Sequence, residues 1–236
     1  MKLLLDGGTF NETTIRLLKD IVDNTKPLLY IPFAWRDATY SGCIEWLTNK
    51  VEAIGFPHIH MVRKTEELDE IDLSLYSAIF VGGGNTYKLL NDLKSSNGYN
   101  KIIDYLKNGG VLCGSSAGAV ICGKDIDIIS SMDPNEVGLV DTKGLDLVEG
   151  FSVFPHYTNT KSSLTELENV ERMNKFTSSI IDFSKTIGKV IAIPEEDVIY
   201  CEGNKIFVLG TLPYYDFTNG TPIKMEVTSY TNGKKL

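Results

Sequence analysis

The run Gly114-Ser115-Ser116-Ala117-Gly118-Ala119 follows directly on the short apolar stretch Gly110 to Cys113. A G-x-S-x-G pattern between a strand and a small-residue helix can hold a serine hydroxyl out from a sharp turn as a nucleophile. Such a turn needs strained dihedrals and close backbone approach, so its flanking positions want little or no side chain. Gly114, Ala117, Gly118 and Ala119 meet that need. The free amides that open the following helix favour negative charge developing at Ser116, and the Ala117 N–H is one candidate oxyanion donor. Ser115 is a competing hydroxyl, but only Ser116 has glycine on both sides at this spacing. The bland alternative is a glycine-rich turn that only packs or cradles a phosphate.

A second apolar run, Ala78 to Val81, ends in Gly82-Gly83-Gly84-Asn85-Thr86. Asn85 or Thr86 suits the N-cap of a helix starting there. The spacing is neither G-x-G-x-x-G nor the lysine-bearing phosphate loop, which disfavours nucleotide binding. In a parallel sheet this loop and the serine turn both lie at carboxyl ends of strands, where ligands bind. Amides of Gly83 or Gly84 are then natural second oxyanion donors.

A serine hydroxyl needs a base, usually a histidine held by a third group. The chain has three histidines. His58 and His60 lie two apart on one expected strand, which reads as structural. His156 follows the apolar run Phe151 to Phe154 and Pro155, which puts it on a loop at a strand end and makes it the candidate base. For the orienting acid, Glu195 in Ile193-Pro194-Glu195-Glu196 is preferred, with Asp133 in Ser131-Met132-Asp133-Pro134 as the alternative acid.

These residues need a scaffold, and apolar runs alternate with amphipathic segments throughout. Strands are expected at Lys2 to Leu5, Pro27 to Pro32, His58 to Val62, Ala78 to Val81, Gly110 to Gly114, Val190 to Ile193, Val198 to Cys201 and Lys205 to Val208. Helical spacing is expected over Glu12 to Asp23, Ser41 to Ile54, Thr86 to Leu93, Tyr99 to Lys107 and Ser163 to Phe183. The pattern is that of α/β architecture, a mostly parallel sheet covered by helices on both faces in a three-layer sandwich. The last three strands, separated by short polar turns, are expected to form antiparallel hairpins at one side of the sheet. Residues 1–210 read as a single α/β domain. Residues 211–236 read as a C-terminal extension that adds an edge strand or stays partly disordered, with turns at Asn219-Gly220 and Asn232-Gly233.

A formal charge of -8 disfavours nucleic acid and anionic lipid as partners, because no local basic patch reverses the repulsion of phosphate. Met1 to Asp6 is too short an apolar run for a signal peptide, and no stretch is long enough to span a membrane, so a cytoplasmic protein is expected. Cys43, Cys113, Cys122 and Cys201 lack C-x-x-C spacing and read as reduced thiols, three of them in apolar surroundings. No metal or cofactor is called for.

Taken together, the first-strand Gly7-Gly8, the loop Gly82 to Thr86, the turn Gly114 to Ala119, Pro155-His156-Tyr157 and Ile193-Pro194-Glu195 resemble the peptidase E (aspartyl dipeptidase) family of serine peptidases. That family is similar in fold to class I glutamine amidotransferases, a flavodoxin-like arrangement, and counts cyanophycinase as a relative. The resemblance spans about Leu3 to Gly210. It implies a Ser116-His156-Glu195 triad, with Asp133 the disputed alternative, and hydrolysis of a small peptide through an acyl-enzyme, including dipeptides with an N-terminal Asp. It also implies an arginine beyond the histidine that binds the substrate's Asp side chain, and Arg172 lies closest to that place. Asn85, Thr158 and Arg172 are the substrate-binding candidates. Serine rather than cysteine at position 116 argues against glutamine hydrolysis. Two other readings are an esterase of the α/β-hydrolase kind, which would need Asp133 as its acid, and a catalytically silent ligand-binding domain. A monomer or a homodimer is expected.

Overall fold

The computed structural model describes residues 1–36, 39–148, 150–228 and 230. The amino-terminal half runs β1 (Lys2–Asp6), α1 (Glu12–Ile21), β2 (Leu28–Ile31), α2 (Tyr40–Val51), β3 (Ile59–Met61), α3 (Glu67–Glu70), β4 (Ala78–Val81), α4 (Thr86–Lys94), α5 (Gly98–Lys107) and β5 (Val111–Ser115). There follow α6 (Ala117–Val120), β6 (Ser152–Phe154), α7 (Glu166–Thr186), β7 (Val190–Ala192), β8 (Val198–Glu202), β9 (Lys205–Leu209), β10 (Tyr214–Thr218) and β11 (Thr221–Met225).

Every residue of β2, β4 and β5 is buried, as expected for strands covered on both faces, whose sequences read as unbroken apolar runs. They belong to a seven-stranded sheet of order β3-β2-β4-β5-β1-β8-β9. The first five strands are parallel; β8 runs antiparallel to β1, and β9 to β8. The chain steps outward from β1 to β2 to β3, then returns through β4 to β5. Right-handed crossovers therefore put α1 and α2 on one face and α3 to α5 on the other. This is a three-layer α/β fold with a mostly parallel central sheet. Local chemistry agrees with it: the Asn11 side chain caps α1 by accepting from the amides of Thr13 and Thr14, and Thr165 and Glu168 form a reciprocal capping box at the start of α7.

The register matters more than the strand count. Asp6 of β1 lies opposite Ser115 of β5, and Val81 of β4 opposite Gly114 of β5. The loops that leave β4, β5 and β1 therefore emerge side by side at one edge of the sheet, with the β5 turn in the middle.

The expectation for the last strands needs one correction. β8 and β9 do form an antiparallel hairpin beside β1, but β7 leaves that group and enters a second, four-stranded sheet of order β11-β10-β7-β6. There it pairs in parallel with β6 and antiparallel with β10. The connection from β7 to β8 is no tight hairpin turn, and Pro194, which has no amide hydrogen, cannot extend the ladder. Instead, Ile193 to Asp197 carries the chain from one sheet to the other. The tail beyond Gly210 contributes β10 and β11, joined at Asn219-Gly220, while Asn232-Gly233 lies outside the described residues.

The second sheet is knit by aromatic rings. Phe154 of β6 meets Phe176 of α7 at a centroid distance of 5.2 Å, and Tyr157 meets Tyr215 and Phe217 of β10 at 5.2 and 5.7 Å. Each such pair contributes roughly 0.5–1.5 kcal/mol beyond the area it buries. His60 is structural in setting, its Nδ1 hydrogen-bonded to the Tyr76 hydroxyl. Cys113, Cys122 and Cys201 are buried, and burial pushes the Cys113 thiol well above its ordinary pKa.

Candidate active site

At the end of β5 the chain turns so sharply that Ser116 takes φ 52° and ψ −110°, a region a non-glycine residue enters only under constraint. The turn closes because the backbones stack without side chains between them: a Cβ on Gly114 would collide with the Gly118 carbonyl, and one on Gly118 with the Val81 carbonyl. Ser116 N–H donates to the Asp6 carbonyl of β1 at 3.0 Å, fixing the turn to the neighbouring strand. The helix that follows, α6, is a single turn of four residues, so any electrostatic help comes from its first amides and not from a long helix dipole. Ser115, the competing hydroxyl, is buried, and its Oγ donates to Asp6 Oδ1 at 3.2 Å.

On one side of the turn lies the loop after β4. A Cβ on Gly83 would lie 3.1 Å from Ser116 Cβ, so glycine there lets the loop backbone reach the serine. Among the described residues no hydrogen-bond acceptor engages the amides of Gly83, Gly84 or Ala117, which leaves them available to an oxyanion beside Ser116. Asn85 does not face the site as a free group. Its Oδ1 caps α4 by accepting from Lys88 N–H, and its Nδ2 donates to the Pro134 carbonyl.

The remaining groups come from the second sheet. His156 stands two residues past the end of β6 with φ 59°. It is held there by its neighbour: Tyr157 N–H donates to the Ile193 carbonyl at 3.0 Å, and the Tyr157 ring sits in the aromatic cluster with its hydroxyl 2.9 Å from that of Thr177. Glu195 stands three residues past β7, the strand beside β6. His156 Nε2 is 2.7 Å from Ser116 Oγ, and His156 Nδ1 is 2.7 Å from Glu195 Oε1. The hydrogen bond from His156 holds the Glu195 carboxyl below its ordinary pKa, more than offsetting the opposing effect of burial, with Arg172 and Lys161 adding attraction. Glu195 is thus a carboxylate at neutral pH. Its backbone is clamped as well, the Asn159 Oδ1 accepting from Glu195 N–H at 2.8 Å and Thr9 Oγ1 donating to the Glu195 carbonyl at 2.8 Å.

Asp133 goes elsewhere. Its Oδ2 accepts from the amide and the hydroxyl of Thr86 at 2.8 and 2.7 Å, at the start of α4. Arg172 lies near the Glu195 carboxylate, with one guanidinium N–H donated to the Asn159 carbonyl at 2.7 Å and the plane 4.6 Å over the Phe176 ring. Thr158 is exposed, two residues past His156, with φ 68°.

Gly8 has a role that its place after a strand did not reveal. With φ 143°, its Cα lies against the imidazole, and a Cβ there would overlap His156 Cε1. Its amide, like that of Phe10, donates to the buried Asp6 carboxylate at 2.9 Å. The available signal was the order Asp6-Gly7-Gly8 at the end of a strand, an acid placed to accept from the turn it opens.

The model of peptidase family S51 matches residues 3–209. The chain is similar to an uncharacterized peptidase of Listeria monocytogenes, 29% identical over 185 residues that make up 77% of this chain and 84% of the relative. It is likewise similar to a peptidase E of a Nostoc species, 29% identical over 199 residues, or 84% of this chain and 78% of the relative. Among solved structures, a peptidase E protein from Listeria monocytogenes EGD-e matches with a TM-score of 0.70 at 23% identity, covering 89% of this chain and 98% of the other. A peptidase from an acI-B1 actinobacterium matches with a TM-score of 0.70 at 18% identity, covering 96% and 94%.

Proposed function

The chain belongs to peptidase family S51 and is a serine-type peptidase, and on that premise we propose that it hydrolyses small peptides with Ser116 as nucleophile, His156 as general base and Glu195 as the group that orients the base. The observation that carries this reading is the unbroken relay from Ser116 Oγ to His156 Nε2 to Glu195 Oε1, 2.7 Å at each step. An ionised Glu195 accepts the Nδ1 hydrogen, which leaves Nε2 bare and directed at the serine hydroxyl. His156 takes the proton as Ser116 Oγ adds to the scissile carbonyl. The carbonyl oxygen then gathers charge beside the amides of Ala117 and of Gly83 or Gly84, and such donors stabilise it because they are already oriented. Collapse of the tetrahedral species gives the amine its proton from His156 and leaves an acyl-enzyme. Water, activated by the same imidazole, releases it.

For the substrate we infer a dipeptide with an N-terminal Asp. Arg172 supports this, because its guanidinium stands partly buried beside the acid and gives a single N–H to Asn159. The remaining donors suit a carboxylate side chain. Thr158, exposed on the loop that carries His156, is the second substrate contact. Asn85 contributes by shaping the loop that carries Gly83 and Gly84.

Ser116→Ala tests the reading. Turnover of Asp-X dipeptides should fall by about 10⁴-fold or more while the fold persists, and a fluorophosphonate should label the wild type alone. Equal labelling of the variant would overturn the assignment of Ser116. A dipeptide panel that includes isoaspartyl peptides separates the substrate classes, and turnover confined to peptides without N-terminal Asp would overturn the role of Arg172.

A further inference from the structure

Asp6 ends β1 fully buried, and both of its carboxylate oxygens are engaged. Oδ1 accepts from Gly8 N–H and Phe10 N–H at 2.9 Å each and from Ser115 Oγ at 3.2 Å, while Oδ2 faces Thr14 Oγ1 at 2.7 Å. A carboxylate in the apolar floor of a sheet is costly to keep, and the start of α1 does not need it, because Asn11 already caps that helix. Its partners show what it joins. Ser115 is the residue before the nucleophile, and the Asp6 carbonyl holds the Ser116 amide. Gly8 is the surface against which the His156 ring lies. Gly7 N–H donates to the Asp197 carbonyl at 2.9 Å, and Thr9 Oγ1 to that of Glu195, so the same four-residue segment also touches the loop of the third group.

We propose that Asp6 is a positioning residue that binds the nucleophile turn and the seat of the His156 ring into one rigid unit, an inference that rests on the roles proposed above for Ser116 and His156. Asp6 acts through what it accepts. Its two backbone donors fix Gly8 at φ 143°, a region open to glycine, and Phe10 at φ 45°, which a phenylalanine adopts only when something holds it. Without those bonds the Gly8 backbone is held against the imidazole only through its neighbours Gly7 and Thr9, and the line from Nε2 to Oγ is less tightly set. Burial pushes the Asp6 carboxyl above its ordinary pKa, against the four donors that favour its charged form, and what the arrangement uses of it is its acceptors. Asparagine can reproduce it: the amide oxygen serves Gly8, Phe10 and Ser115, and the amide nitrogen donates to Thr14 Oγ1.

The experiment compares wild type, Ser116→Ala, Asp6→Ala, Asp6→Asn and Ser115→Ala by circular dichroism, by the rate of fluorophosphonate labelling and by kcat and KM on a dipeptide substrate. Asp6→Ala should label and turn over about 30–100-fold more slowly, with KM within about threefold of wild type, because the loss is one of alignment. Asp6→Asn should recover all but about fivefold, and Ser115→Ala should lose about fivefold in kcat with no further loss when combined with Asp6→Ala. A folded Asp6→Ala that reacts at the wild-type rate, a loss confined to KM, or an Asp6→Asn as impaired as Asp6→Ala would each overturn the proposal. Should Asp6→Ala fail to fold, Ser115→Ala decides: wild-type kcat overturns the inference, and a kcat loss at constant KM supports it. Labelling of wild type and Ser116→Ala alike would instead bring down the reading of Ser116, and the positioning role with it.

Discussion

The two sheets supply different halves of the site. The seven-stranded sheet brings the hydroxyl and the candidate oxyanion amides, all on loops that leave adjacent parallel strands, and its turn at Ser116 is dictated within five residues by the stacking of Gly114 on Gly118. The four-stranded sheet brings His156 and Glu195, and the two strands they follow, β6 and β7, are only three residues long. Because β6 and β7 are parallel neighbours with Phe154 opposite Ala192, their exits lie side by side and deliver the imidazole to the carboxylate. The His156–Glu195 pair proposed as the relay meets Ser116, the proposed nucleophile, across a single 2.7 Å hydrogen bond. A site built on such a seam has a rigid half set by backbone sterics and a half that depends on packing at a distance.

Glu195→Gln strikes the second half most directly and carries the largest effect expected there. Glutamine keeps the shape but can present an N–H to His156 Nδ1, which favours the tautomer that protonates Nε2. A fall in kcat of about 10³–10⁴-fold is expected with the fold unchanged. Steady-state kinetics on the same dipeptide measures it, and a loss below tenfold would return the orienting role to another group. The wild-type carboxylate keeps its place in acid, since its lowered pKa means that the stabilisation from its pairing with His156 is present above the ordinary carboxylate range and is lost only as the pH falls through that lower value.

Phe217→Ala attacks the same half through its packing. Phe217 is fully buried against Tyr157, and removing the ring should cost about 3–5 kcal/mol of unfolding free energy in urea titrations. Activity should fall with it, because Tyr157 is the residue that anchors His156. A loss under about 1 kcal/mol would show that the second sheet does not need β10 to hold its base.

The difference between the halves also explains what could be read from the sequence. Ser116 and the loop Gly82 to Gly84 were legible because their constraints are local: a strand, a glycine where backbones touch, a helix start. His156 was legible only as a histidine on a strand-ending loop. The partition into two sheets was not, since Val190-Ile-Ala packs equally well beside β8 or β6 as a string of apolar residues, and only the path of Ile193 to Asp197 separates the cases. Glu195 and Asp133 look alike as turn carboxylates. What distinguishes them is the parallel pairing of β6 with β7, a long-range fact with no signature near either residue. Asp6 was hidden for the same reason, as its partners Ser115 and Thr14 lie on other elements.

Asp197 sits where the chain passes between the sheets and reports on that crossing. Its Oδ1 accepts from Thr211 and Leu212 N–H, its Oδ2 has no partner among the described residues, and burial pushes the carboxyl to about 6. An unfolded Asp titrates near pH ~3.9. Between the two values the native state therefore binds more protons than the unfolded one, and this group's contribution falls as pH rises through that window. Wild type should lose roughly 2–3 kcal/mol relative to Asp197→Asn between pH 4 and pH 7. Paired urea titrations at the two values cancel the other carboxylates, and a constant difference would show that the Asp197 environment is not the dry one seen here.

Asp133→Asn carries the smallest effect and most sharply separates the halves. The side chain belongs to the nucleophile's half, tying the segment before Pro134 to the first residue of α4 through the amide and hydroxyl of Thr86. A carboxylate at a helix start contributes about 0.3–1 kcal/mol through the charge it places near free amides. Asparagine can still accept from Thr86, so stability should drop by no more than about 1 kcal/mol. The loop of Gly83 and Gly84 precedes Thr86 directly, which allows a change in kcat of about threefold through its placement. A loss of 10³-fold, matching that of Glu195→Gln, would mean that the acid reaches His156 from the first sheet after all. The relay would then not depend on the pairing of β6 with β7.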